Sequence, residues 1–162
     1  MVMMMPARDP APWVADFQRL PYRLGARGPD AVDCYGLVRL VLLAVAGIEM
    51  PLFADTVPAG GAADRAALAA LVAGYDRDRW RQVATRSALA EPLRWHLEPR
   101  ALDVALMRIG RHVCHCGILA APGWLLHTED AGAGVRLDRL DRPDILPRLV
   151  AVVRHPELTE AA

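Results

Sequence analysis

The sequence predicts an α+β domain, with short helices first and then a mostly antiparallel sheet of about five strands. Two observations predict it. Between Asp33, a residue type that caps helix starts, and Gly47, one that stops them, lies a nearly continuous apolar run from Cys34 to Ala46. From Leu102 onward the pattern changes to strand-like segments, punctuated at Gly110-Arg111, Ala121-Pro122-Gly123 and Ala131-Gly132-Ala133-Gly134.

Residues 11 to 20 read as a short helix with Pro12 near its first turn. A loop rich in Gly, Pro and Arg follows from 23 to 32. The helix from Cys34 to Ala46 is apolar on nearly every side apart from Tyr35 and Arg39, so it is expected to be central and buried. Residues 51 to 61 are loop, and 62 to 74 form an Ala/Leu-rich peripheral helix. A short strand is predicted over 80 to 84. Further strands fall at 103–109, 112–120, 124–128, 134–137 and 149–154. No repeat or long linker divides the chain. The expectation is one domain over 1–162, with its core at about 11–155 and an insertion from 53 to 100.

Composition narrows the function classes. Of 162 residues, 54 % are hydrophobic and 23 % charged, which is the balance of a globular protein. The formal net charge is zero and no basic stripe is present, so nucleic acid is not an expected partner. All 19 basic residues are Arg, which removes a Schiff-base lysine, a P-loop and a Ser-Lys dyad. The single serine, Ser87, lacks a Gly-x-Ser-x-Gly elbow. No apolar run is long enough to span a membrane. The start, Met1 to Pro6, does not read as a signal peptide, so the chain is expected to be made in the cytoplasm. Three cysteines, two of them one residue apart, suggest free thiols.

Cys34 is the main candidate for chemistry. In the first turn of a helix, free N–H groups and the macrodipole favour an anion. A His partner lowers a thiol pKa further, to roughly 3–4 in the strongest pairs. A small buried packing residue is the plain alternative. The base must come from His96, His112, His115, His127 or His155. His96 and His155 fall in polar or terminal stretches. His115 shares a strand face with Val113, Gly117 and Leu119, an apolar face with one gap. An odd-length loop at Ala121-Pro122-Gly123 would set His127 opposite His115, where it could fix the ring's tautomer. Glu129 and Asp130 lie further along the chain. The donors His112, Cys114, His115, Cys116 and His127 include zinc-binding types, but strand neighbours point to opposite faces and no paired motif is present. No metal and no cofactor are expected, and Cys114 and Cys116 read as packing residues.

These residues resemble the NlpC-type cysteine peptidases, papain-like enzymes of bacterial cell-wall cleavage. The match comprises Asp33-Cys34-Tyr35-Gly36-Leu37-Val38, then His115-Cys116-Gly117-Ile118, then Leu126-His127. Pro21-Tyr22-Arg23-Leu24-Gly25, Leu102-Asp103 and Gly47-Ile48-Glu49-Met50-Pro51 add to it in order. The resemblance implies a papain-like fold in which Cys34 is nucleophile, His115 base and His127 its orienter. It also places Tyr22 beside Cys34, where its hydroxyl and the Cys34 N–H would bind the oxyanion. The implied substrate is an amide bond in peptidoglycan stem peptides.

An aromatic followed by Gly-Leu-Val-Arg (Tyr35 to Arg39) is similar to the phage-tail branch of that family. This implies a tail-tip component of a phage or phage-derived gene transfer particle, with other tail-tip or baseplate proteins as partners. Two alternatives keep the same fold: an inactive structural hub protein, and an acyltransferase using the same Cys and His. Ala26-Arg27 replaces a second Gly after Gly25, and Leu102 replaces the Gly of Gly-Asp. The segment 53–100 carries no readable motif.

Overall fold

The computed structural model describes residues 8–51, 79–130 and 132–158. The first helix, α1 (Val14–Phe17), is shorter than the predicted 11–20. Gln18 is already extended and Arg19 has a φ of 75°, so the chain leaves helical geometry before Pro21. Helix α2 (Cys34–Ala46) has the predicted bounds. The Asp33 carboxylate caps it by accepting the Gly36 N–H at 2.7 Å. Gly47 ends it in the left-handed region (φ 68°) and donates to the Leu43 carbonyl.

Helix α2 buries one face rather than all of them. Gly36, Leu37, Val38, Val41 and Leu42 are enclosed, whereas Val45 in the last turn is 37 % exposed. The reason is that β4 (His112–Ala121) packs along a single side of the helix. Tyr35 and Arg39 hold the segment after the helix. The Tyr35 hydroxyl donates to the Pro51 carbonyl, and Arg39 Nε donates to the Met50 carbonyl at 3.0 Å.

The remaining strands are β1 (Arg81–Thr85), β2 (Arg94–Trp95), β3 (Val104–Ile109), β5 (Trp124–His127), β6 (Arg136–Arg139) and β7 (Leu149–Arg154). With β4 they form a seven-stranded sheet in the order β2-β1-β7-β3-β4-β5-β6. Every neighbouring pair is antiparallel. Seven strands replace the expected five or so, in part because β2 is two residues long and leaves no alternating pattern. The end of the segment read as an insertion therefore belongs to the sheet, through β1 and β2. The helix predicted at 62–74 lies outside the described residues.

The sheet has an apolar cluster on each face. On the α2 side, Cys116, Ile118 and Leu126 pack against Leu37, Val41 and Leu42. On the other side Met107, Leu119, Leu125, Leu149 and Val152 close over Ile145. Strand β4 contributes to both, as the two-residue period requires. The architecture is the predicted α+β class, with few helices on an antiparallel sheet.

Candidate functional site

Asp33 builds the entrance to α2 with both of its oxygens. While Oδ1 caps the helix, Oδ2 accepts from the Gly25 N–H at 2.8 Å and from Arg27 at 2.6 Å. The loop before α2 is thereby tied to the helix start. A Cβ on Gly36 would lie 2.1 Å from the Ala26 carbonyl oxygen, so the loop backbone rests on the first turn where only glycine fits. Arg27, a departure from the resembled pattern, supplies the cation for Asp33.

Cys34 is the first residue of α2 and is half-buried. Its N–H is one of the first-turn groups that have no intrahelical acceptor. The Cys116 thiol, and after it the His115 ring, hold the Cys34 thiol well below its ordinary pKa against the opposing effect of burial. Cys116 moves the other way, pushed up by its hydrogen bond with Cys34 and by burial. Of the two thiols, Cys34 is therefore the one that ionises more readily. Cys116 does pack toward α2, as strand parity requires, but it is also the hydrogen-bond neighbour of Cys34, a role the sequence reading did not assign to it.

The two candidate histidines meet on one face. His115 Nε2 lies 3.2 Å from His127 Nδ1, and both rings are buried. The register that achieves this differs from the expected odd-length loop. Ala121 pairs with Trp124, leaving the two-residue turn Pro122-Gly123, and a bulge between Leu119 and Ala121 supplies the missing residue. Beyond the bulge Ile118 pairs with Leu126, so odd-numbered residues on β4 and β5 share a face. Gly117 is the residue against His127, since a Cβ there would sit 2.9 Å from the His127 Cβ. His115 therefore approaches His127 diagonally rather than from directly opposite.

Two carboxylates complete the cluster. His127 Nε2 is 2.9 Å from Asp138 Oδ2. An ionised carboxylate only accepts, so this contact puts the proton on Nε2 and leaves Nδ1 as a lone pair facing His115. Arg136 and Arg142 flank Asp138 at 2.8 and 2.6 Å. Burial raises the Asp138 pKa, but the His127 contact and the Arg136 and Arg142 charges outweigh it and hold the carboxyl below its ordinary value. Glu129 Oε1 lies 3.3 Å from His115 Nε2, 3.6 Å from His127 Nδ1 and 2.6 Å from Arg148. Against the cost of burial, His127, His115 and Arg148 hold it well below the usual carboxylate range.

Tyr22 bridges to Val32 in the segment leading into α2. Its hydroxyl pKa is raised by burial first, then by the Cys34, Asp33 and Asp130 charges, so it stays protonated within electrostatic reach of Cys34. The structure thus gathers Cys34, His115, His127 and Tyr22. It adds Asp138, Glu129 and Cys116. Of the other three histidines, His112 opens β4, His96 bonds Thr85 at 2.7 Å, and His155 is half-buried edge-on to Trp80.

A thiolate stabilised by a neighbouring thiol predicts a specific titration. Alkylation of Cys34 by iodoacetamide, followed against pH, inflects well below the unperturbed value of about 8.5. In Cys116→Ala the inflection moves up, because a donor to the charged form is lost. Cys116→Ser, which keeps a donor, stays close to the wild type. An unmoved inflection in Cys116→Ala contradicts this account.

No curated protein matches the chain. Solved structures do. A lipoprotein-like NLP/P60 protein from Staphylococcus aureus superposes with a TM-score of 0.53 at 20 % identity, covering 87 % of this chain and 38 % of that one. An NlpC/P60 family protein from Bacillus cereus gives 0.53 at 18 %, covering 90 % and 41 %. The NlpC/p60 domain of the peptidoglycan hydrolase SagA gives 0.50 at 18 %, covering 86 % and 91 %. This chain thus spans about two fifths of the length of the first two and nearly all of the third. The fold is shared with each of them. The sequence model of the NlpC/P60 family matches residues 19–154, from the loop before α2 through the last strand, and the chain belongs to that family.

Proposed function

We propose that this protein is a cysteine peptidase that hydrolyses amide bonds in peptidoglycan stem peptides. The observation that carries the reading is the contact series from the Cys34 thiol to His115, on to His127 and then to Asp138. Such a series is what acyl transfer requires, namely an activated nucleophile, a base and a group that fixes the base. The substrate class is inferred from the likeness to the SagA domain, part of a peptidoglycan hydrolase, and from family membership.

In this mechanism the Cys34 proton passes to the His115 ring, and the thiolate attacks the amide carbonyl, forming the C–S bond. His115 protonates the leaving amine as the C–N bond breaks. The ring then takes a proton from water, which attacks the thioester and restores Cys34. The oxyanion is held by the Cys34 N–H and the Tyr22 hydroxyl, each donor being worth about 3–4 kcal/mol of barrier. His127 keeps His115 in one orientation, and Asp138 keeps His127 in one tautomer. The likeness of Tyr35 to Arg39 to the phage-tail branch supports a place at the tip of a phage-like tail, among other tail proteins. In the structure Tyr35 and Arg39 anchor the segment after α2.

The test is digestion of purified peptidoglycan by the wild type and by Cys34→Ala, with released fragments identified by mass spectrometry. New amino termini within stem peptides are expected from the wild type alone. Identical digests end the hydrolase reading.

A further inference from the structure

We infer that His115 Nε2, His127 Nδ1 and Glu129 Oε1 form a zinc site whose occupation disables the nucleophile–base series. The three atoms are separated by 3.2, 3.3 and 3.6 Å. Zinc bonds nitrogen at about 2.0–2.1 Å and carboxylate oxygen at about 2.0–2.2 Å, so tetrahedral ligands stand roughly 3.3–3.6 Å apart. One ion fits above this triangle without rearranging the backbone, leaving a fourth position open. The objection that strand neighbours face opposite ways does not apply, because the donors come from β4, from β5 and from the residues just after β5.

The donor chemistry agrees. Asp138 holds the proton of His127 on Nε2, so Nδ1 presents its lone pair to the triangle. This is the carboxylate–histidine arrangement that orients zinc-bound imidazoles. Glu129 Oε1 is shielded from solvent, and none of its close contacts makes a hydrogen bond of good geometry. On binding, zinc takes the Nε2 lone pair of His115, whose ring then carries its proton on Nδ1. Two imidazoles and a carboxylate suit zinc, whereas magnesium calls for octahedral oxygen ligands.

Arg148 opposes the ion, since its guanidinium sits 2.6 Å from Glu129 Oε1 and competes for the same atom. The inhibitory consequence rests on the proposed peptidase reading, because zinc would occupy the two nitrogens through which His127 orients His115. The binding itself does not rest on it.

The experiment is zinc titration by calorimetry on the full chain carrying Cys34→Ala, with cobalt absorption as a second readout. One ion per chain is expected, with no thiolate-to-cobalt charge-transfer band. Magnesium gives no heat. Glu129→Gln weakens zinc by roughly tenfold or more, and Asp138→Asn by about 10–100-fold. Arg148→Ala tightens it, a change that a merely misfolded variant would not show. Unchanged affinity in Glu129→Gln overturns the site, as does a thiolate band that disappears in Cys116→Ala. If zinc binds as described while the wild type releases no fragments, the site stands and the peptidase reading falls.

Discussion

Replacing His115 with alanine lowers kcat as far as replacing Cys34, by about 10⁶-fold, and the double variant is no slower than either single one. The reason is that the two side chains act as one unit. Without His115 the Cys34 thiol keeps its Cys116 contact but loses its imidazole partner, so its pKa rises, and no group remains to protonate the leaving amine. Without Cys34 a base is left with nothing to activate. The residual rate in all three variants would come from the oxyanion donors and from substrate binding alone. His127→Ala is expected to cost about 10⁴-fold, since the base keeps its proton chemistry but loses its fixed orientation. Asp138→Asn should act in the same direction and less strongly, because it works through His127. Initial rates of fragment release, compared across the four single variants and the Cys34/His115 double, check the series. Additive losses in the double would show that the two residues do not act on the same step.

How far this site could be read in advance follows from the physics of each element. The ends of α2 were legible because Asp33 and Gly47 are local signals, settled by one side-chain hydrogen bond and one left-handed φ. The pairing of His115 with His127 was legible only as a parity. The actual register depends on a bulge between Leu119 and Ala121, which no composition rule announces. Asp138 was missed for a narrower reason. The predicted strand stopped at Leu137, one residue short, although the Leu125–Asp138 pairing places the carboxylate on the histidine face. Glu129 looked remote along the chain, but β5 ends at His127 and the following residues turn back over the site. Cys116 was assigned to packing correctly. Its contact with Cys34 depends on where the tip of α2 meets β4, a tertiary fact that local pattern cannot carry.

Arg154→Met is expected to produce the largest stability loss outside the apolar core, about 3–5 kcal/mol. Asp103 is fully buried at the start of β3, and Arg154 at the end of β7 is nearly so. The guanidinium meets both carboxylate oxygens, at 2.7 and 2.9 Å, and also donates to the Glu98 carbonyl at 2.9 Å. The Arg100 N–H adds a further bond to Asp103 at 2.8 Å. One ion pair thus locks the start of β3, the end of β7 and the turn that carries β3 into the sheet. Removing the cation leaves a carboxylate without solvent or counter-charge, which is where the cost arises. For a chain of this size the loss corresponds to a fall in Tm of roughly 6–20 °C. Urea unfolding should show a lower midpoint with an unchanged slope, since the surface exposed on unfolding stays the same. Adding Asp103→Leu to Arg154→Met should restore much of the stability, because an apolar pair of similar volume has no charge to desolvate. A double variant as unstable as the single one would mean that the hydrogen bonds to Glu98 and Arg100, rather than the buried charge, set the cost.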